Sequence, residues 1–253
     1  MTMKIKLNKE RVGWGILTAL AFLAIGGVCL VPPIEQDQLY HNFSDSYEIL
    51  NISNFWNVIS NIPFAIVGIV GLINLNKIRE NTTQYLVLFI GIVLVSIGSG
   101  YYHLNPTNST LIWDRLPMTV IFMSLVSIII SEFFKSKLGI KLLFPLIIVG
   151  FLSILHWWVY DDLRFYSLVQ FYPMFAIPVV LVCFKSKYNM TLGYWLLLIA
   201  YIIAKFCEIF DKEIFSLFSL ISGHTLKHII SAIGLTILVY TYIKRHEITL
   251  NTK

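Results

Sequence analysis

Charged residues are scarce in this sequence. Only 13% of the 253 residues are Asp, Glu, Lys or Arg, whereas 57% are hydrophobic and the mean hydropathy is +0.75. Soluble domains carry roughly 25% charged residues. The composition therefore excludes an ordinary water-soluble domain and indicates a polytopic membrane protein.

Cysteine is also scarce, and the three cysteines do not have the spacing of a disulfide framework or of a cysteine zinc site. Cys29, Cys183 and Cys207 all lie inside apolar runs, so we interpret them as core residues. Internal repeats and low-complexity linkers are absent. The net charge of +5 does not indicate a nucleic-acid partner, because in a membrane protein the position of the charges matters more than their sum.

Eight stretches are long and apolar enough to cross a bilayer, which takes about 20 residues per helix. The predicted fold is therefore an all-α bundle of eight membrane-spanning helices, with no stretch left for a soluble domain. The first stretch has no small-residue cleavage site and is expected to stay as a membrane helix. The predicted spans are about 13–33, 55–75, 85–104, 114–134, 139–159, 165–184, 191–211 and 221–243.

The basic residues are unevenly distributed between the two sides that these spans define. With eight spans both termini lie on one side, and fourteen of the nineteen Lys and Arg residues fall there. The positive-inside rule then places both termini in the cytoplasm of what we expect to be a bacterial inner-membrane protein. The fourteen are Lys4, Lys6, Lys9, Arg11, Lys77, Arg79, Lys135, Lys137, Lys141, Lys185, Lys187, Lys244, Arg245 and Lys253.

Ionisable residues are costly inside a membrane, so those that occur there indicate a functional site. The third span ends in GSGYYH, which places Ser99 and His103 on one helical face. The fourth begins with Asp114 and Arg115 in WDRLPM, and the eighth begins with His224 and His228 in GHTLKH. The predicted orientation brings all of them to the outer end of the bundle.

The histidines have the spacing of a metal site. Side chains at i and i+4 of a helix lie about 6 Å apart, so His224 and His228 can reach one ion, and His103 can supply a third nitrogen. Three protein ligands with one open position are typical of catalytic zinc, so Zn²⁺ is the predicted cofactor. Hydrogen-bonded core histidines are the simpler alternative, and haem is another, although two histidines on adjacent turns of one helix cannot both bind one haem iron.

Other polar residues are predicted to support this site. Asn57, Ser60 and Asn61 form a stripe on the second span that suits hydrogen bonds between helices. Lys227 shares a helical face with the histidine pair and is expected to pair with Asp162, Glu208 or Asp211, because an ammonium group is repelled by a dication. The supporting or substrate-pocket candidates are Lys227, Arg115, Asp162, Glu208, Asp211, Asn57 and Asn61, whereas His156 is expected at the membrane interface and His41 and His246 in solvent.

These motifs resemble those of the alkaline ceramidase family of seven-helix membrane hydrolases. The matching segments are FWNVISN at 55–61, GSGYYH at 98–103, DRLPM from Asp114, and GHTLKH at 223–228. A wider superfamily that includes the progestin and adiponectin receptor-like proteins shares the serine, the aspartate and the three histidines. The surroundings of these residues favour the ceramidase branch.

The resemblance implies a domain organisation and an activity. Residues 1–54 would form an additional N-terminal membrane helix and an outer loop, residues 55–245 the seven-helix catalytic bundle, and residues 246–253 a cytoplasmic tail. The three histidines would bind zinc, and Ser99 and Asp114 would assist the hydrolysis of an amide bond in a sphingolipid-like molecule. The acidic calcium-binding segment of the animal enzymes is missing before Phe55, so no calcium requirement is expected.

The leading hypothesis is thus a zinc-dependent amidase that acts on a ceramide-like or other N-acyl membrane lipid. Zinc lowers the pKa of bound water to about 7, and the resulting hydroxide would attack the amide carbonyl. Ser99 would stabilise the oxyanion and Asp114 would transfer the proton to the departing amine. The residues alone allow an ester as well as an amide. The alternative function is a lipid-sensing receptor with a structural zinc site.

Overall fold

A computed structural model describes residues 2–78 and 81–248, and within these ranges the chain is all-α, with no β-strand. Short 3₁₀ turns lie at Gln38–His41 and Leu75–Lys77. Arg79, Lys253 and most of the predicted cytoplasmic tail lie outside the described residues. The α-helices are α1 (Thr2–Leu30), α2 (Phe55–Ile59), α3 (Ile62–Ile73), α4 (Thr82–Leu104), α5 (Asn108–Phe133), α6 (Ser136–Tyr160), α7 (Arg164–Cys183), α8 (Leu192–Ile209), α9 (Asp211–Phe218) and α10 (Gly223–Lys244).

Eight helical segments of the described chain are long and apolar enough to cross a membrane. This confirms the predicted all-α fold and its eight spans. The second span, Phe55–Ile73, consists of α2 and α3. The helix is interrupted after Ile59 because Pro63 cannot donate a backbone hydrogen bond and its ring clashes with the carbonyl group four residues earlier.

Two of the span boundaries that differ from the prediction have a clear local cause. α1 ends at Leu30, because Pro32 and Pro33 follow and a residue before proline disfavours helical geometry. α5 begins at Asn108, six residues before the predicted start at residue 114. The backbone N–H of Thr107 donates to Thr110 Oγ1, and the N–H of Thr110 donates to Thr107 Oγ1. This reciprocal capping places Asp114 in the second turn of α5 rather than at its start.

The chain divides into two compact units. Of the described residues, unit 1 comprises 2–35, 122–191 and 245–248, and unit 2 comprises 36–78, 81–121 and 192–244. The domain organisation predicted from the sequence separates an N-terminal helix and loop from a catalytic bundle. It is defined by catalytic role and not by compactness, so it stays a prediction.

Unit 1 contains α1, the second half of α5, α6 and α7. α7 packs against both α1 and α6, and Ser127 Oγ of α5 donates a 2.8 Å hydrogen bond to the Gly139 carbonyl group of α6. The chain after α10 returns to this unit, where the buried guanidinium of Arg245 forms an ion pair with Glu132. The helices and the returning segment therefore make one packed body.

Unit 2 contains α2, α3, α4, the first half of α5, and α8 to α10. α10 packs on α8 and also contacts α3 and α2, while α3 packs on α4. The core includes Leu88, Ile92 and Leu238, none of which is exposed. This packing brings the end of α4 to the start of α10.

Gly98 allows α4 and α5 to approach closely within unit 2. A Cβ atom at Gly98 would lie 1.9 Å from the Trp113 carbonyl oxygen, which belongs to the backbone and cannot rotate away. We expect Gly98→Ala to force the two helices apart and to lower the free energy of unfolding by about 1–3 kcal/mol, as overpacking typically does. Thermal unfolding of the detergent-solubilised protein measures this change.

Gly100→Ala is the matched control, because it lies on the same helix and a Cβ atom there meets nothing within 4 Å. Alanine favours a helix over glycine by about 0.5–1 kcal/mol, so this variant should be at least as stable as the parent. Equal destabilisation by the two substitutions would contradict the packing argument.

Candidate metal centre

Three buried imidazoles converge in unit 2. His103, His224 and His228 are 1%, 3% and 4% exposed, and one ligand nitrogen of each lies within 4.8 Å of the others. The ring centroids are 4.8 to 5.0 Å apart. In a tetrahedral site with zinc–nitrogen bonds of about 2.1 Å, two ligand nitrogens lie about 3.4 Å apart, so side-chain movements of about 1 Å would bring all three nitrogens onto one ion.

The hydrogen bonds of His228 leave its Nε2 atom available as a ligand. Ser60 Oγ lies 2.8 Å from His228 Nδ1 and donates its own proton to the Asn57 carbonyl group at 3.1 Å. The hydroxyl oxygen therefore accepts a hydrogen bond from the Nδ1–H group of the imidazole. Metal-binding histidines typically donate a hydrogen bond from the ring N–H group that does not face the metal.

His103 provides a further observation that fits a metal site. Its buried Nδ1 atom has no hydrogen-bond partner among the described residues, and buried polar atoms are otherwise almost always paired. Asn54 Nδ2 donates a 2.8 Å hydrogen bond to the His103 carbonyl group, which anchors the end of α4. A donor set of three neutral imidazole nitrogens suits zinc.

His224 is positioned through the backbone at the start of α10. Its N–H donates a 2.7 Å hydrogen bond to Asp211 Oδ1, and Asp211 Oδ2 accepts one from the Ser44 N–H at 2.9 Å. The carboxylate thus satisfies an N–H group that has no partner within the helix. Its negative charge also interacts favourably with the positive end of the helix dipole.

Lys227 pairs with Glu208, one of the three carboxylates considered from the sequence. Lys227 Nζ donates to Glu208 Oε1 at 2.6 Å and lies 3.5 Å from His224 Nε2. Glu208 also binds Lys205 and accepts a 3.1 Å hydrogen bond from the Tyr40 hydroxyl group. The negative charge of Glu208 offsets the positive charge of the Lys227 ammonium group beside the imidazoles.

The other two carboxylates have different partners. Asp211 accepts the two backbone hydrogen bonds described above, and Asp162 forms a 2.7 Å ion pair with Arg164 inside unit 1. The Arg164 guanidinium holds the pKa of the Asp162 carboxyl group well below its usual range. Asp162 therefore supports the connection between α6 and α7.

Ser99 and Asp114 lie together in the interior of unit 2. They are 2% and 7% exposed, the Ser99 side chain lies close to the Asp114 carboxyl group, and Lys227 and Arg115 are the nearby cations. Arg115 donates a 2.7 Å hydrogen bond to Gln36 Oε1 and lies over the Tyr40 ring. Arg115 thus anchors the segment before α2.

Asn57 and Asn61 connect helices rather than facing solvent. Asn57 Oδ1 accepts a 2.9 Å hydrogen bond from Thr225 Oγ1 on α10, and Asn61 Nδ2 donates one of 2.7 Å to the Asn57 carbonyl group. Asp45, which is fully buried, accepts a 2.9 Å hydrogen bond from the Asn57 N–H. These bonds fix α2 against the start of α10.

Residues 36–54, here called the roof segment, cover the imidazoles, and sequence analysis did not assign them to the site. The Phe43 ring lies 4.7 Å from the His103 ring and 4.5 Å from the His224 ring, measured between centroids. Long connections without regular structure are often functional, and the length and aromatic content of this one were the available signal.

His41 is a second residue of the roof segment whose environment differs from the expectation. It was expected to be solvated, but it is half-buried, with Nδ1 2.8 Å from the Tyr102 hydroxyl group and Nε2 2.8 Å from Asn108 Oδ1. The aromatic ring of Tyr102 and the start of α5 thus hold it in place. His246, by contrast, is exposed, as expected.

The half-buried Tyr40 of the roof segment keeps its proton. Burial, and the neighbouring Glu208 carboxylate, raise the pKa of Tyr40 well above its usual value. The phenol therefore remains a hydrogen-bond donor to Glu208 at any ordinary pH.

Removing the Phe43 ring should open the metal centre to water. We expect Phe43→Ala to increase the rate at which a chelator extracts the metal by about tenfold, because the ring excludes solvent from two of the three imidazoles. The measurement is the loss of metal with time after addition of EDTA. Leu39→Ala is the control, since Leu39 belongs to the same segment and is 71% exposed; identical rates for both variants would show that the ring does not limit access.

Comparison with known proteins supports the relationship that the motifs indicated. No curated protein matches the sequence. The model of the ceramidase family matches residues 44–252, a range that contains the histidine cluster and begins after α1. Because the match covers most of the chain, this protein belongs to the ceramidase family.

Proposed function

We propose that this protein is a zinc-dependent membrane hydrolase that cleaves the amide bond of a ceramide-like or other N-acyl lipid. Membership of the ceramidase family implies a hydrolase with a lipid substrate, and eight apolar helices indicate an integral membrane protein. The observation that carries the proposal is the group of three buried imidazoles within 4.8 Å of one another.

The three histidines would hold the metal. Their neutral nitrogens suit zinc better than magnesium or calcium, which prefer oxygen ligands. When bound, zinc acts as a Lewis acid that polarises a carbonyl group and acidifies water. Ser60 orients His228, and the backbone bond to Asp211 orients His224.

Asp114 and Ser99 would carry out the proton transfer and the charge stabilisation. The Asp114 carboxylate takes a proton from the attacking water and delivers it to the amine nitrogen as the carbon–nitrogen bond breaks. The new carbon–oxygen bond gives a fatty acid, and the second product is a free amine. Ser99, which lies close to Asp114, would donate its hydroxyl proton to the developing oxyanion.

The substrate would enter sideways from the bilayer. Phe43 and the roof segment cover the imidazoles, and an apolar acyl chain has little reason to leave the hydrocarbon layer. The distribution of basic residues supports cytoplasmic termini and a metal site near the outer face.

The test is a combined metal and product analysis of the detergent-purified protein. We expect about one zinc per chain and release of fatty acid from an N-acyl sphingosine, with much slower release from the corresponding ester. Zinc and lipid binding without any hydrolysis would instead identify a lipid sensor with a structural metal, and a Soret absorption band would identify a haem protein.

A further inference from the structure

α1 is fixed to α7 at two places within unit 1. In the first half of α1, a Cβ atom on Gly13 would lie 2.6 Å from Cys183 Cβ, so only glycine allows this approach. Near its end, Arg164 donates hydrogen bonds to the carbonyl groups of Val28 and Val31 at 2.9 and 2.6 Å. The helix is therefore anchored at two places, although little of its surface is buried.

Between these two anchors the helices leave an apolar groove. Its volume is about 570 Å³, within the range of about 300–1,000 Å³ of small-molecule sites. Almost all the side chains that line it are hydrocarbon or aromatic. They include Leu17, Ala21 and Ile25 of α1, Ile129 of α5, and Ala176 and Val180 of α7.

One end of the groove has two exposed lysines beside it. Phe134 and Leu138 line the groove, and the exposed side chains of Lys135 and Lys137 lie between them in the sequence. Trp14, which also lines the groove, packs on Phe134 with a centroid distance of 5.0 Å. Positive charge is therefore concentrated where the groove reaches the end of the helices.

Carboxylates near this end do not cancel that charge. Glu132 is paired with Arg245, and Glu247 is paired with Lys187. Glu10 lies near the start of α1 between Lys9 and Arg11, both of which are exposed. The surface at this end of the groove is thus net positive.

We propose that this groove binds an anionic phospholipid, with one acyl chain between α1 and α7 and the headgroup phosphate beside Lys135 and Lys137. The apolar lining suits a hydrocarbon chain, and basic residues next to a membrane helix attract anionic headgroups. A ceramide-like substrate has no phosphate, so this site is distinct in chemistry from the hydrolytic one. The proposal does not depend on the proposed enzymatic activity.

The experiment measures lipid bound to the full-length protein. Protein purified in a mild detergent is equilibrated with equal amounts of phosphatidylglycerol and phosphatidylcholine, and the bound phospholipid is extracted and quantified by mass spectrometry. We expect about one phosphatidylglycerol per chain, with at least a fivefold preference over phosphatidylcholine. Helix content, measured by circular dichroism, verifies that each variant is folded.

Two pairs of variants distinguish the contribution of the groove to lipid binding from the contribution of the lysine charges. Ala21→Trp fills the groove and should reduce bound phospholipid at least fivefold, whereas Ala19→Trp, on an exposed position of the same helix, should not. The double variant Lys135→Ala and Lys137→Ala should retain a lipid but lose the preference for phosphatidylglycerol. Lys244→Ala removes an exposed basic residue of unit 2 and should keep the preference.

Three outcomes would overturn the proposal. The first is equal lipid retention by the Ala21→Trp and Ala19→Trp variants. The second is binding without any headgroup preference in the parent protein. The third is a native mass spectrum in which a second copy of the chain, rather than a phospholipid, is lost on substitution of Ala21.

Discussion

Replacing His228 with alanine is expected to abolish both zinc binding and hydrolysis. Zinc lowers the pKa of bound water to about 7, and a centre with two ligands would not retain the ion. We therefore expect less than about one-thousandth of the parent rate of fatty-acid release. Metal content measured by mass spectrometry on the same preparation links the two losses.

Two controls make this result specific to the metal centre. His246→Ala removes an exposed histidine outside the cluster and should leave zinc content and activity unchanged. Ser60→Ala removes only the hydrogen-bond partner of His228, and it should weaken zinc affinity by about 10- to 100-fold without abolishing binding, as the loss of such partners typically does. Full zinc occupancy in His228→Ala would refute the assignment of this residue as a ligand.

Asp114→Asn is expected to produce the second large loss, but with the metal retained. The amide has nearly the same shape as the carboxylate but cannot accept and release the proton, so the rate should fall by about 10²- to 10⁴-fold, the usual contribution of general acid–base catalysis. The buried position of Asp114 beside Ser99 means that solvent cannot easily replace the missing base. Single-turnover rates of fatty-acid release measure the effect.

Zinc content decides how that loss is interpreted. Asp161→Asn is the matched control, because Asp161 is exposed and has the left-handed conformation that asparagine tolerates well. It should retain full activity. If Asp114→Asn loses its zinc together with its activity, then the aspartate stabilises the metal centre and another group transfers the proton.

Local features of the sequence were sufficient to predict the helices and part of the site. Hydropathy identified all eight membrane-spanning segments, since a helix in lipid must be apolar over the thickness of the bilayer. The four-residue spacing of His224 and His228 was equally informative, because the helix itself places these two side chains on one face.

The boundaries of the helices were less predictable from the sequence than their existence. The start of α5 depends on the reciprocal hydrogen bonds of Thr107 and Thr110, which extend the helix into a polar stretch that hydropathy assigns to a loop. The second span is interrupted at Pro63, and hydropathy is insensitive to a proline in an otherwise apolar run.

The sequence by itself determined the membrane class, the eight helices, the family and the histidine pair, because each depends on short-range patterns of polarity and spacing. Only the tertiary structure decided that Glu208 rather than Asp162 or Asp211 pairs with Lys227, that Phe43 covers the imidazoles, and that α1 leaves a groove beside α7. These features join residues far apart in the chain, and their geometry follows from how closely the helices pack, which no local pattern of residues encodes.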